Sequence, residues 1–120
     1  VEDLIQSLGD CSINGHLLIF KLLVEKININ EYKNDKKYNY ILTGSLYGAS
    51  LNGHLEIVEL LLANKIVPPE YSLLSAITGG HLEIVKLLLK NNVKINKNAL
   101  DKATFLGNTE ILELIINGLK

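Results

Sequence analysis

The sequence predicts an all-α solenoid, in which short helix–turn–helix units stack side by side with little or no strand. Three observations carry that expectation. First, "GHLEIVELLLAN" (residues 53–64) and "GHLEIVKLLLKN" (residues 80–91) differ at only two of twelve positions, Glu59 against Lys86 and Ala63 against Lys90. Self-similarity at a fixed spacing is the mark of a repeat architecture. Second, two looser copies, "GHLLIFKLLVEK" from Gly15 and "GNTEILELIING" from Gly107, bring the number to four, at spacings of 38, 27 and 27 residues. Third, the copies agree upstream. Seven residues before each glycine sits a leucine (Leu8, Leu46, Leu73, Leu100), and four before it a small residue (Cys11, Ala49, Ala76, Ala103).

Each element follows from those positions. Leucine and small residue stand at i, i+3, on one face of a helix. The small side chain lets a neighbouring helix approach closely. The glycine then marks a turn. The second helix is apolar over much of its circumference: in the third copy Leu82, Ile84, Val85, Leu87, Leu88 and Leu89 leave Glu83, Lys86 and Lys90 for water. So wide an apolar face needs partners on several sides, which a stack supplies and one unit cannot. Glu56, Glu83 and Glu110 fall in first turns and Lys90 in a last turn, as the helix dipole favours. The units cover about residues 1–30, 40–67, 68–96 and 97–120 of a single domain, with a long insert loop over 31–43. Both ends look uncapped, since the last helix keeps Ile111, Leu112, Leu114, Ile115 and Ile116 and shows no polar outer face. Further repeats, or a weak dimer through those ends, would cover them.

The composition excludes several classes. The chain has 120 residues, 48% hydrophobic and 21% charged, which suits one folded domain. A net charge of −1 gives no long-range field for nucleic acid or an anionic membrane. No apolar run approaches the roughly 18 residues needed to span a bilayer. A lone cysteine, Cys11, cannot form an internal disulfide, so a reducing, cytoplasmic setting is expected; that includes a host cytosol if the source is a pathogen. The chain contains no methionine, which suggests a piece of a longer protein.

The residues "GHLEIVKLLL", followed by the exit "NNVKIN" (Asn91–Asn96), resemble the ankyrin repeat over essentially the whole chain. The first helices keep the family's leucine and small residue in "SLGDCS", "GSLYGAS", "YSLLSAI" and "NALDKAT" but lack its Thr-Pro and His. The family period is about 33 residues. The two intervals of 27 residues are short where the family places its β-hairpin fingers, so tight loops are expected there. The resemblance implies a module for binding another protein, through the groove lined by the first helices and through the long first loop.

Candidate site residues follow on two surfaces. The positions six and two before each glycine point away from the packed face. They hold Gly9 and Ile13, Tyr47 and Leu51, Leu74 and Thr78, and Asp101 and Phe105. An apolar strip exposed there would mark an interaction site. The insert "EYKNDKKYNY" adds Tyr38, Tyr40, Lys36 and Lys37, which either bind a partner or pack the loop on its own repeat. No catalytic, cofactor or metal set is expected. His16, His54 and His81 occupy equivalent places in successive layers about 8–10 Å apart, too far to share an ion, and suit backbone hydrogen bonds in the inter-helix turns. Cys11 holds a packed position. "TGGH" (Thr78–His81) is the repeat turn, not a phosphate loop. The lysines at 86, 90, 94, 97 and 102 lack interleaved aromatics, so no nucleic acid is expected. Three alternatives stand beside protein binding: a targeting or scaffolding arm of a larger enzyme or effector, a structural spacer, and hydroxylation of the exit residue Asn96.

Overall fold

A computed structural model describes residues 2–120 and, over these, contains nine helices and no strand. Helices α1 (Glu2–Asn14) and α2 (Leu17–Lys26) form the first pair. A single turn, α3 (Ile29–Tyr32), links them to α4 (Lys36–Asn52) and α5 (Leu55–Ala63). The pairs α6 (Glu70–Gly79) with α7 (Leu82–Lys90), and α8 (Lys97–Leu106) with α9 (Thr109–Leu119), complete the stack. First helices pack in one row (α1, α4, α6, α8) and second helices in another (α2, α5, α7, α9), giving a body of 42 × 24 × 18 Å.

The turn glycine repeats its conformation in all four copies. Gly15, Gly53, Gly80 and Gly107 all take φ between +69° and +78°, where a side chain would be strained. In the first three copies the next amide reaches back to the small residue's carbonyl: His16 to Cys11 and His54 to Ala49 at 2.9 Å, His81 to Ala76 at 3.0 Å. That bond spans six residues and ends each first helix in a Schellman motif. Leu8, Leu46 and Leu73 are fully buried with Ala49, Ala76 and Ala103 beside them, while Leu100 of the last pair is half-buried. Ile57, Ile84 and Ile111, four residues past their glycines, are 1%, 1% and 0% exposed between layers. Burying each contributes about 2 kcal/mol.

His54 and His81 act between layers rather than within their own turns, while the His16 ring makes no hydrogen bond among the described residues. The His54 ring lies over Gly15 and its Nε2–H donates to the Ile13 carbonyl at 3.1 Å. His81 lies over Gly53 and donates to the Leu51 carbonyl at 2.9 Å. Each thus satisfies a carbonyl that the preceding first helix leaves open at its C-terminus.

The long loop over residues 31–43 is not a loop. The chain is helical at Ile29–Tyr32 and again from Lys36 to Asn52, leaving a three-residue link. Asp35 caps α4, its carboxylate accepting from the Lys37 amide at 3.0 Å. Ile29 and Leu42 are buried, and Tyr38 stands edge-on to Tyr32 with ring centroids 5.2 Å apart. The spacing Leu42, Ser45, Leu46, Ala49 continues one buried helical face into the insert. The apolar face therefore extends upstream of the repeat motif, and the polar residues between its members are the solvent side of a 17-residue helix.

The tight exits elsewhere hold. Ile66 and Val93 anchor the loops after α5 and α7, and Lys65 and Asn92 enter the left-handed region at φ +66° and +62°. No hairpin projects from either.

Candidate functional site

The row of first helices presents one continuous face, and two open grooves lie along it. The larger encloses about 490 Å³ between α1, α4 and α6. Its walls carry Tyr40 and Tyr47, two turns apart on α4, with Tyr71 from α6 and Ile13 from α1. All four are exposed, Tyr40 at 79% and the others at 41–45%. Tyr47 and Tyr71 meet edge to face at 5.6 Å, a geometry favoured by aromatic quadrupoles. Gly44 opens the floor, for a Cβ added there would meet no atom within 4 Å. Asp10 stands at the rim, touched by the Gln6 amide at 3.4 Å and by no cation among the described residues.

The smaller groove, about 420 Å³, lies between α6 and α8 and is lined by Leu74, Asn98, Asp101, Lys102 and Phe105. Phe105 is 84% exposed, the most exposed large apolar side chain described. Asp101 accepts from Lys97 Nζ at 2.7 Å, and this bonded carboxylate raises the Lys97 ammonium above its ordinary pKa.

The expected site residues therefore separate. Tyr47 belongs to the first groove, and Leu74, Asp101 and Phe105 to the second. Leu51 is half-buried and lines neither. Its contribution is its carbonyl, held by His81. Thr78 is exposed and turns its hydroxyl back to the Leu74 carbonyl at 2.8 Å. The insert residues divide too. Tyr40 joins Tyr47 in the first groove, whereas Tyr38 packs on Tyr32. Lys37 pairs with Glu2 at 2.7 Å, a contact that raises its pKa, and Lys36 is exposed on the first turn of α4. Sequence reasoning missed Tyr71 and Gly44. The signal was present, because Tyr71, Leu74 and Thr78 share one helix face at i, i+3, i+7, and Tyr40, Gly44 and Tyr47 share one at i, i+4, i+7.

The remaining reactive groups are occupied or enclosed. Cys11 is 4% exposed and donates its thiol to the Leu8 carbonyl at 3.2 Å; burial, reinforced by nearby Asp10, pushes its pKa up. A raised pKa leaves little thiolate, the form that acts as nucleophile. Asn96 caps α8, its Oδ1 accepting from the Ala99 amide at 3.0 Å, while its Nδ2 donates to Glu70 Oε2 at 2.8 Å. Among the described residues no three His, Cys, Asp or Glu side chains gather closely enough to hold a metal ion. No helix there is long and apolar enough to cross a membrane.

Comparison with curated proteins and with solved structures returned no match for this chain. A family model described as ankyrin repeats (3 copies) matches residues 46–120, the stretch from the repeat core of α4 to the end of α9. The α1–α2 pair lies before that stretch and repeats its geometry, with Gly15 at φ +75° and the same bond from the amide of residue 16 to the carbonyl of Cys11. With three of its four helix pairs matched by the family model and the remaining pair built on the same turn, the chain belongs to the ankyrin repeat family.

Proposed function

We propose that this chain binds another protein through the concave face of its first helices, with the tyrosine groove between α1, α4 and α6 as the main docking site. Ankyrin repeats are in general protein–protein interaction modules, and the family is typically non-catalytic. The observation that carries the finer reading is the convergence of Tyr40, Tyr47 and Tyr71 on one open groove. Tyrosine offers a large, stiff, amphipathic surface and serves often as an interface anchor. The rim carboxylate of Asp10 suits a partner that brings an apolar side chain to the tyrosines and a cation beside it. The rigid stack adds little ordering cost on binding. A pure spacer has no use for exposed Tyr40 and Phe105 on the same face.

The test uses Gly44→Leu. The change fills the groove from a position with open space, and replaces a helical glycine with a strong helix former, which stabilises α4 by about 0.5–1 kcal/mol. Proteins captured from lysate by the parent chain should be lost with Gly44→Leu and with Tyr47→Asp, and kept with Phe105→Asp. Loss with Phe105→Asp alone moves the site to the α6–α8 groove. Retention by all three variants sinks the concave-face reading.

A further inference from the structure

The two ends of the stack carry opposite halves of the contact that inner layers make with each other. Four residues past the glycine, Ile57, Ile84 and Ile111 are buried against the preceding pair, but Ile19 on α2 is 52% exposed. Leu22 is exposed at 54%, and Leu18, at 80%, stands where the other copies place Glu56, Glu83 and Glu110. The α9 end mirrors this. Nine residues past the glycine, Leu62 is 7% exposed and Val24 and Leu89 are half-buried in layers that have a following pair, whereas their counterpart Ile116 is 43% exposed, near Leu119 at 54%.

Charge fits the two ends to each other. Six residues past the glycines stand Lys21, Glu59, Lys86 and Glu113, alternating in sign along the row of second helices. Glu59 and Lys86 line one shallow groove, and Lys86 and Glu113 the next. Lys86 bonds Glu83 of its own helix at 3.4 Å, so the alternation is one of sign along the row, and Lys21 continues it after Glu113. The polar tie is duplicated as well. The His16 ring makes no hydrogen bond among the described residues, unlike His54 and His81. Gly107 keeps φ +69° with no atom within 4 Å of an added Cβ, an open version of the seats that His54 and His81 fill at Gly15 and Gly53.

We propose that a second copy of this chain stacks head to tail on the first, the α2 end of one copy continuing the row at the α9 end of the other. Lys21 then faces Glu113, and His16 lies over Gly107 and donates to the carbonyl of Phe105. Leu18, Ile19 and Leu22 meet Ile116 and Leu119. The two surfaces differ, so the contact is heterologous and each added copy exposes a fresh end.

Sedimentation velocity over a range of concentrations tests this. The parent should grow through dimer to longer species as concentration rises. Ile19→Glu puts a charge at an exposed position that the junction would bury and blocks one end, while Ile116→Glu blocks the other. Each variant alone should remain monomeric with unchanged circular dichroism. An equimolar mixture should form a dimer and stop there, because only one competent junction remains. Lys21→Glu, on an exposed side chain, should weaken association of the parent about two- to fivefold. A parent that stays monomeric, a parent that forms only closed dimers, or a mixture that does not dimerise overturns the proposal. So does association that survives both blocking variants, which places the contact elsewhere.

Discussion

At the junction between the α4–α5 and α6–α7 pairs, the His81 ring fills the space over Gly53 and donates to the Leu51 carbonyl. At the next junction Asn108 stands in the histidine's place and turns back on its own helix, its Oδ1 accepting from the Ile111 amide at 3.1 Å. The seat at Gly80 is left open. Yet the apolar layer is equally closed at both, with Ile84 at 1% and Ile111 at 0% exposure. The difference separates two roles that a near-identical repeat blends together. Burial of the isoleucine holds the layers, and the polar residue at the turn chooses between tying two layers and capping one helix.

The largest effect expected from that contrast is at the turn glycines. Gly53→Ala must place a methyl group in the left-handed region and within 2.6 Å of the His81 ring. The backbone term costs about 1–2 kcal/mol, and displacing the seated ring adds about 1–2 kcal/mol. Gly107→Ala meets only the backbone term, because its seat is open. Urea unfolding should therefore show a loss of about 3 kcal/mol for the first and about half that for the second. Equal losses would mean that the ring moves aside freely and that the seat does not bind it.

A smaller effect tests the tie itself. His81→Ala removes a bond to a helix-end carbonyl together with the ring's contacts, for a cost of about 1–2 kcal/mol. Asn108→Ala removes a helix cap, for about 1 kcal/mol. The two variants should differ more in place than in size. Amide exchange should quicken at the end of α4 and in the α6–α7 turn for His81→Ala, and be confined to the first turn of α9 for Asn108→Ala. Exchange that spreads across both junctions in either variant would deny the division of roles.

How much of this was legible in the sequence depends on the range of the interaction. The buried leucines, small residues and turn glycines repeat at fixed offsets, so each copy corroborates the others and the helix pairs could be placed. The insert had no such copy. Its polar residues Asn34, Asp35, Lys36 and Lys37 suggest a loop, and only Asp35 as a cap, with Leu42 and Leu46 below it, reveals a helix. Reading residues 31–43 as a loop also split Tyr40 from Tyr47, and with them the groove. The histidine's carbonyl partner lies 30 or 41 residues away in the preceding layer, so spacing within one copy could not reveal it. Tyr71 was missed for a similar reason, since its partner Tyr47 lies on another helix and the two meet only once the stack exists.

The smallest expected change is the most discriminating. Asn108→His writes the inner-layer residue into the last junction. The new ring finds an open seat at Gly80 and, by analogy with Ile13 and Leu51, the carbonyl of Thr78. The bond gained contributes about 1 kcal/mol. The cap lost from the Ile111 amide costs about the same. Global stability should then move by less than about 0.5 kcal/mol while protection redistributes. The Ile111 amide should exchange faster and the end of α6 more slowly. A net gain above about 1 kcal/mol would show that the asparagine cap contributed little, and that the last layer had lost its tie without compensation. A net loss of that size would show instead that the layer spacing at α8 does not admit the ring. The sign of a near-zero change thus reports which of two hydrogen bonds, one within a helix and one between layers, the stack depends on.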